Sequence, residues 1–187
     1  TCPSQNLVDA FQTINGYDVT LTEEGWKSDD PLFNPKYPYA DRDKRFYKTV
    51  LYDGVMFKGK ELACYEGGAE GLPVVGASET GYYLRKYIIE GVDLAPRYAE
   101  VVLNYAEAMN NAYGPDKVEN DFTMTACEAL NLVRKRSVKT LIPTGLDRVA
   151  FQKVLEREKR VEFAFENQRF WDIRRWKTGK FTQTGID

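Results

Sequence analysis

Histidine is absent from the 187 residues of this chain. That removes the commonest general base and the commonest metal ligand, and it argues against a triad hydrolase or a histidine-ligated metal site. Cysteine is scarce. Cys2, Cys64 and Cys127 lie far apart, show no metal-ligand spacing, and leave at least one free thiol because their number is odd. They read as isolated small hydrophobic residues, although an oxidising compartment would allow a bridge between any two. No apolar run approaches the roughly 18 residues that a membrane span needs, and no secretory leader is visible. With 26 basic against 28 acidic residues the net charge is −2, so the basic face that nucleic acid requires is missing. Hydrophobic content of 43% and charged content of 29% are ordinary for a soluble globular chain, and the length predicts one domain.

What is abundant is aromatic: 12 Tyr, 10 Phe and 3 Trp make 13% of the chain. Their placement divides the sequence. Residues 3 to about 13 predict a short helix, with Leu7, Ala10, Phe11 and Ile14 at helical spacing and Ser4 as N-cap. From about 15 to 91 the helical period disappears and Gly, Pro, Asp and aromatics dominate, a long irregular stretch of the kind that is usually functional. Within it, Asp53-Gly54 between two β-prone runs, 46–52 and 55–57, predicts a β-hairpin, and 61–65 a third short strand.

Three helices are predicted after it, over about 95–178. The first, about 95–113, places Tyr98, Val102, Tyr105, Met109 and Ala112 on one face and ends at Gly114-Pro115. Arg97, Glu100, Asn104 and Glu107 form a polar stripe beside that face. The second, about 123–137, turns Ala126, Leu130 and Val133 inward, and Thr125 with Glu128 fits a capping box that would delay its first turn. Asp147 caps the third, on which Phe151, Val154, Val161 and Phe165 share a stripe with Glu158. A carboxylate on a buried face is costly unless paired and hydrogen-bonded. The stripe therefore predicts a buried ion-pair network between two helices, with Arg169, Arg174 and Arg175 as candidate partners. Glu100 and Glu107 are expected to pair with Arg134 or Arg136. Trp171 and Trp176 are assigned to the core.

The closing run, Glu158-Lys-Arg-Val-Glu-Phe-Ala-Phe-Glu-Asn-Gln-Arg-Phe-Trp-Asp-Ile-Arg-Arg-Trp176, resembles the C-terminal signature of the SusD/RagB family, E-R-R-x-E-L-A-F-E-G-x-R-W-x-D-L-R-R-W. Lys159 replaces the usual Arg and Asn167 the usual Gly. Asn is the next best residue for a left-handed helix C-cap, so one helix should end near Glu166 and the next start near Gln168. Four further stretches resemble family segments, in the family's order. Pro3-Ser-Gln-Asn-Leu-Val-Asp-Ala-Phe11 is similar to P-T-Q-E-L-V-D-A-Y. Tyr39-Ala-Asp-Arg-Asp-Lys-Arg-Phe46 is similar to Y-x-N-R-D-P-R-F, departing at Asp41 and Lys44. Thr80-Gly-Tyr-Tyr-Leu-Arg-Lys-Tyr87 is similar to T-G-Y-Y-x-R-K-Y/F. Arg97-Tyr-Ala-Glu-Val-Val-Leu-Asn-Tyr-Ala-Glu-Ala108 is similar to R-Y-A-E-V-L-L-N-Y-A-E-A. The join at 91–96 is shorter than is usual in the family.

The resemblance implies a mainly α fold of tetratricopeptide-like helical hairpins with long irregular loops and a small β-hairpin. It implies the C-terminal part of a surface lipoprotein of Bacteroidetes, with the lipid anchor outside this chain and the protein at the cell outer membrane. Such proteins capture a glycan, or in some cases a peptide, and pass it to a SusC-like TonB-dependent transporter. No catalytic activity, cofactor or metal is implied. Glu158 and Glu162, one turn apart, could share a proton as an acid/base pair, and a carboxylate-based glycoside hydrolase is the rival enzyme reading. A ligand-free helical adaptor is the other. The many surrounding arginines favour fold-holding ion pairs instead, and Arg42, Asp43 and Arg45 read as pins for the irregular loop. Asp29-Asp30 and Asp41 with Asp43 offer calcium-type oxygens but no EF-hand spacing. Trp26, Tyr37, Tyr39, Phe57 and Tyr65 lie in irregular segments, where a flat ring with a polar edge suits stacking on a sugar. The family's loop-built aromatic arc makes Trp26 and Tyr37 the first choices among them.

Overall fold

The structure, a computed structural model, describes residues 2–88, 97–119 and 121–179. The join at 91–96 and the expected helix start at Ala95 lie outside the described residues. Among the described residues six helices carry the fold, with three two-stranded antiparallel sheets between them. The first helix, α1 (Gln5–Ala10), starts where the Ser4 hydroxyl accepts from the Leu7 amide. The long helices are α3 (Tyr98–Tyr113), α4 (Ala126–Arg134) and α5 (Arg148–Glu162), followed by α6 (Gln168–Arg175). Gly114 ends α3 at φ 94°, a value that a β-carbon would disfavour. The capping box closes α4: the Glu128 amide donates to Thr125 Oγ1 at 3.1 Å, and the Thr125 amide to Glu128 Oε2 at 2.8 Å. Asp147 Oδ1 accepts from the Ala150 amide at 2.8 Å and opens α5.

Two apolar cores result, and α5 belongs to both. Leu103, Ala106 and Met109 of α3, Leu130 and Val133 of α4, and Phe151 and Leu155 of α5 make the helical core. Val8 and Phe11 meet Phe46, Val50, Tyr82 and Val161 of α5 in the second, with Trp26, Tyr39, Tyr47 and Tyr52 packed against it. The irregular stretch is thus fastened to the helices through an aromatic cluster. Tyr39 lies 4.3 Å from Tyr52 and 5.5 Å from Trp26 between ring centroids.

Several expectations are corrected. The run 46–52 is not one strand: Phe46–Thr49 forms a short helix, α2, and only Val50–Leu51 is extended, as β3. A turn does form at Asp53-Gly54, where the Val55 amide donates to Tyr52 O at 3.2 Å. Its flanks nevertheless pair elsewhere. β3 pairs with β6 (Tyr83–Leu84), while β4 (Met56–Phe57) folds back on β5 (Lys60–Glu61) over Lys58 and Gly59, at φ 49° and 81°. Two consecutive positive φ values define a tight hairpin turn that matches strand twist. Burial accompanies the exchange: Val50 and Leu51 are buried beside β6, with Val50 in the core with Phe46 and Tyr82, whereas Met56 and Phe57 are not buried. A further hairpin, β1 (Thr20–Thr22) with β2 (Gly25–Lys27), sets Leu21 opposite Trp26.

On α3, Tyr98 is 72% exposed and Ala112 also faces outward, while Ala99, Val102, Leu103 and Ala106 turn in, so the buried stripe is rotated from the expected one. Helix α5 ends at Glu162, four residues before the expected Glu166, which leaves Phe165 outside the helix at φ 63°. Asn167 is left-handed at φ 63°, as N-cap of α6 rather than C-cap of α5. Trp171 is 68% exposed and not core. All three cysteines are free, Cys64 and Cys127 buried and Cys2 exposed.

Phe151 sits where three helices meet, and truncation would leave a cavity that their rigid backbones cannot close. Phe151→Ala should cost about 3–5 kcal/mol, whereas Thr125→Ala, which removes only a cap, should cost about 1 kcal/mol. Urea unfolding of both variants checks the ordering.

Candidate functional site

The polar interior is organised around α5. Glu158 and Glu162 stand one turn apart and are 2% and 5% exposed. Arg45 reaches both, with Nη1 at 2.6 Å from Glu158 Oε1 and 3.0 Å from Glu162 Oε2. Its other edge holds Asp43 at 2.6 Å. Arg134 of α4 takes the second oxygen of Glu158 at 3.2 Å. Arg136 and Arg97 take the second oxygen of Glu162 at 3.0 and 3.2 Å. Burial alone would raise the Glu162 carboxyl, but Arg45, Arg136 and Arg97 together hold it below the usual glutamate range. Two carboxylates each fixed by guanidinium groups do not share a proton, so the acid/base arrangement is not formed.

Beyond Glu162 the exposed carbonyl end of α5 is closed by cations. Lys86 Nζ donates to the carbonyls of Ala164 (3.0 Å) and Glu162 (3.3 Å), and Arg97 Nη2 to that of Glu162 at 2.9 Å. Both also hold the Glu166 carboxylate. Cations at a helix C-terminus complement its dipole and its unsatisfied carbonyls. On the far side, buried Lys159 donates to Asn104 at 3.1 Å and pairs with Glu107 at 3.3 Å and Asp172 at 3.2 Å. Arg175 and the Trp176 indole also bind Glu107, which joins α3, α5 and α6.

The partners differ from several that were expected. Arg45, not Arg169 or Arg174, binds Glu158. Arg174 stacks on Phe170 at 3.4 Å from the ring centroid, and Arg169 makes no ion pair among the described residues. Glu107 pairs with Lys159 and Arg175 rather than Arg134 or Arg136, and Glu100 is unpaired among the described residues. Arg42 is buried but pins the loop without a carboxylate: it donates to the carbonyls of Val8, Phe11 and Pro38. The charged pin is retained, but with carbonyl dipoles as acceptors. Lys159 was the residue that sequence reasoning missed, because a lone lysine among arginines carries no sign of burial.

At the surface, Trp26 of β2 lines an open depression of 490 Å³ with Asp18, Thr20, Lys27, Asp29 and Phe33. The edge-to-face contact with Tyr39 fixes its ring. Phe33 also lines a second depression of 330 Å³, into which Tyr37 (67% exposed), Asn15 and Asp30 project. Asp30 is buried, and hydrogen bonding from Thr13, the Leu32 amide and Asn15 outweighs that burial and lowers its carboxyl. The aromatic candidates are therefore split. Trp26 and Tyr37 line adjoining depressions, and Tyr39 is structural support behind Trp26. Phe57 lies on the β4–β5 hairpin, and Tyr65 is exposed on the following loop, with no ring contact to Trp26 or Tyr37 among the described residues. Among the described residues no cluster of three Cys, Asp or Glu is placed to hold a metal, and no helix is long and apolar enough to cross a membrane.

A helical frame held by arginine–carboxylate seams, with short hairpins presenting aromatics, defines a helical scaffold that carries loop-built surface depressions. The model of the SusD family matches residues 1–186, and the chain belongs to that family. A SusD-like protein of Bacteroides fragilis superposes with a TM-score of 0.70 at 29% identity, over 95% of this chain and 36% of that one. A SusD-like carbohydrate binding protein of the same organism gives 0.66 at 27%, over 94% and 35%. A SusD superfamily protein of Bacteroides vulgatus gives 0.57 at 21%, over 94% and 33%, a likeness of fold alone. The chain spans about a third of the length of these structures. No curated protein matches it.

Arg45 is the hub of the seam, and the side chain is only 12% exposed. Arg45→Gln should cost about 3–5 kcal/mol near pH 7, because it strands buried carboxylates. The folded carboxyl of Glu162 lies below its unfolded value of 4.5, so its contribution is present above that pH and is lost as pH falls through the folded value. The cost of Arg45→Gln should therefore shrink in acid, and urea unfolding at pH 7 and pH 3 measures the difference.

Proposed function

We propose that this chain belongs to a non-catalytic cell-surface protein that captures an oligosaccharide and delivers it to a SusC-like TonB-dependent transporter in the outer membrane. The observation that carries the reading is the Trp26 depression. An indole ring held edge-on by Tyr39 leaves one surface toward an open space of 490 Å³ bordered by Asp18, Thr20, Lys27 and Asp29. An apolar plate ringed by carboxylates, a hydroxyl and an ammonium matches a sugar ring, whose C–H face is apolar and whose rim is hydroxyl. Tyr37 extends the surface past Phe33, so a ligand of several sugar units would be accommodated better than a monosaccharide. The carbohydrate binding named for the Bacteroides fragilis relative supports the same reading.

A glycoside hydrolase is disfavoured by the site that would have to perform it. Glu158 and Glu162 are enclosed by arginines and line neither depression. Binding without turnover follows. An oligosaccharide array on the full-length protein, followed by calorimetry with the best ligand, tests the proposal. Trp26→Ala should weaken binding by at least about tenfold, or about 1.4 kcal/mol, with the unfolding temperature preserved. Undiminished affinity in that variant, or hydrolysis of the ligand that vanishes in Glu158→Gln, would sink the proposal.

A further inference from the structure

A third depression, of 400 Å³, adjoins the Trp26 site and shares Asp18 and Thr20 with it. Its walls come from α1, α5 and α6, and they are dominated by cations: Lys153, Arg157, Arg160 and Arg169. The three carboxylates present do not neutralise them evenly. Asp18 is taken by Arg157 in a two-point pair at 2.5 and 3.0 Å. Glu156 accepts from Gln152 at 3.2 Å, and Asp9 accepts from Gln5 at 2.6 Å. Lys153, Arg160 and Arg169 have no ion pair among the described residues; Arg160 donates only to the neutral amide of Asn6.

Two of these guanidinium groups are placed at a cost. Arg160 is half-buried, and burial, with Arg169 and Arg157 beside it and Asp9 only partly opposing, lowers its pKa to about 10. Arg169 is also half-buried, and burial lowers it too, with Glu156 and Asp172 only partly opposing. It stands in the first turn of α6, where the helix dipole disfavours a cation. A merely solvated charged face would let such long side chains extend into water and separate. Here two helices hold them around one depression, and an anion between them would relieve the repulsion, the burial cost and the dipole conflict together.

We infer that this depression receives an anionic group, a carboxylate or a sulfate ester, carried by the same saccharide whose neutral ring lies against Trp26. The inference rests on the glycan-binding reading and narrows it to acidic oligosaccharides. Arg160 and Arg169 would bind the anion, and the Arg157–Asp18 pair forms the wall between the anion subsite and the stacking subsite.

Matched probe pairs test it on the full-length protein by calorimetry. Galacturonate oligomers are compared with their methyl esters, and sulfated galactan oligomers with their desulfated forms. In at least one pair the charged member should bind at least tenfold tighter (about 1.4 kcal/mol), with an advantage that falls as salt rises. The pair that shows it distinguishes carboxylate from sulfate. Arg169→Gln, which removes a side chain with no hydrogen bond among the described residues, should erase the preference, as should Arg160→Gln. Equal affinity within both pairs would overturn the inference while leaving glycan capture standing if Trp26→Ala still weakens binding. A preference that survives both arginine variants would overturn it as well. Binding of no member of either pair would overturn the inference, and the oligosaccharide array alone would then decide glycan capture.

Discussion

The structure depends on one constraint: α5 turns two carboxylates inward, and they must be neutralised where water cannot reach. Glu158 and Glu162 are met by Arg134 and Arg136 from the end of α4 and the residues after it, by Arg97 from the start of α3, and by Arg45 from the irregular stretch. The four cations come from three separate segments. The pair therefore acts as a common point at which distant parts of the chain are registered. Apolar contact is tolerant of small displacements, whereas directed guanidinium–carboxylate hydrogen bonds are not. A buried ion pair is weak evidence of net stability, since well-packed apolar residues could replace it at little cost. Its physical consequence here is positional.

That positional role explains how a chain with so much irregular structure holds its surface features still. Residues 15–88 contain only short strands and one helical turn, and none of these would be stable alone. They are secured by aromatic packing against Val161 and by Arg45 and Arg42. The first ties the stretch to carboxylates of α5, and the second to carbonyls of α1 and the loop before it. Because α5 contributes to both apolar cores and to the polar seam, a displacement of the loop region would have to disturb all three together. The Trp26 ring inherits this rigidity through Tyr39, which packs on Phe46 one residue beyond Arg45. A rigid aromatic plate loses little conformational freedom when a ligand arrives.

Much of the helical frame was legible in the sequence, because its signals are local. Ser4, the Thr125–Glu128 box, Asp147 and Gly114 state helix ends through chemistry that acts within four residues. What was not legible was pairing over distance. Asp53-Gly54 makes its turn, but whether β3 continues into β4 or leaves for β6 is decided by burial beside Tyr83, more than thirty residues on. The carboxylate on the α5 stripe announces that a cation must meet it, yet charge carries no address. Arg169 and Arg174 were closer in sequence than Arg45 and equally suitable by type. Trp171 misled for a related reason: helical spacing says that residues share a face, not which face is covered. Trp26 and Tyr37 could be picked out as aromatics in irregular segments, whereas Phe33, which joins their depressions, had no distinguishing pattern.

The same contrast bears on the arginines of α5 and α6. In the closing segment charges of both signs alternate so densely that each arginine has a nominal carboxylate within reach along the chain. The fold then sorts them. Arg175 reaches inward to Glu107 and Asp172, Arg157 crosses to Asp18, and Arg174 lies on Phe170. Arg160 and Arg169 are left facing one depression with an amide for company. Their isolation comes from α5 ending at Glu162. The non-helical residues 163–167, with Phe165 and Asn167 both left-handed, reset the direction of the chain before α6 begins. Had one continuous helix run from 148 to 175, Arg160 and Arg169 would be nine residues apart along it, about 2.5 turns at 3.6 residues per turn, and so on opposite faces, unable to bind one small anion. The break that ends the ion-pair seam is thus also what brings two guanidinium groups, without an ion pair among the described residues, into one depression beside the Trp26 surface.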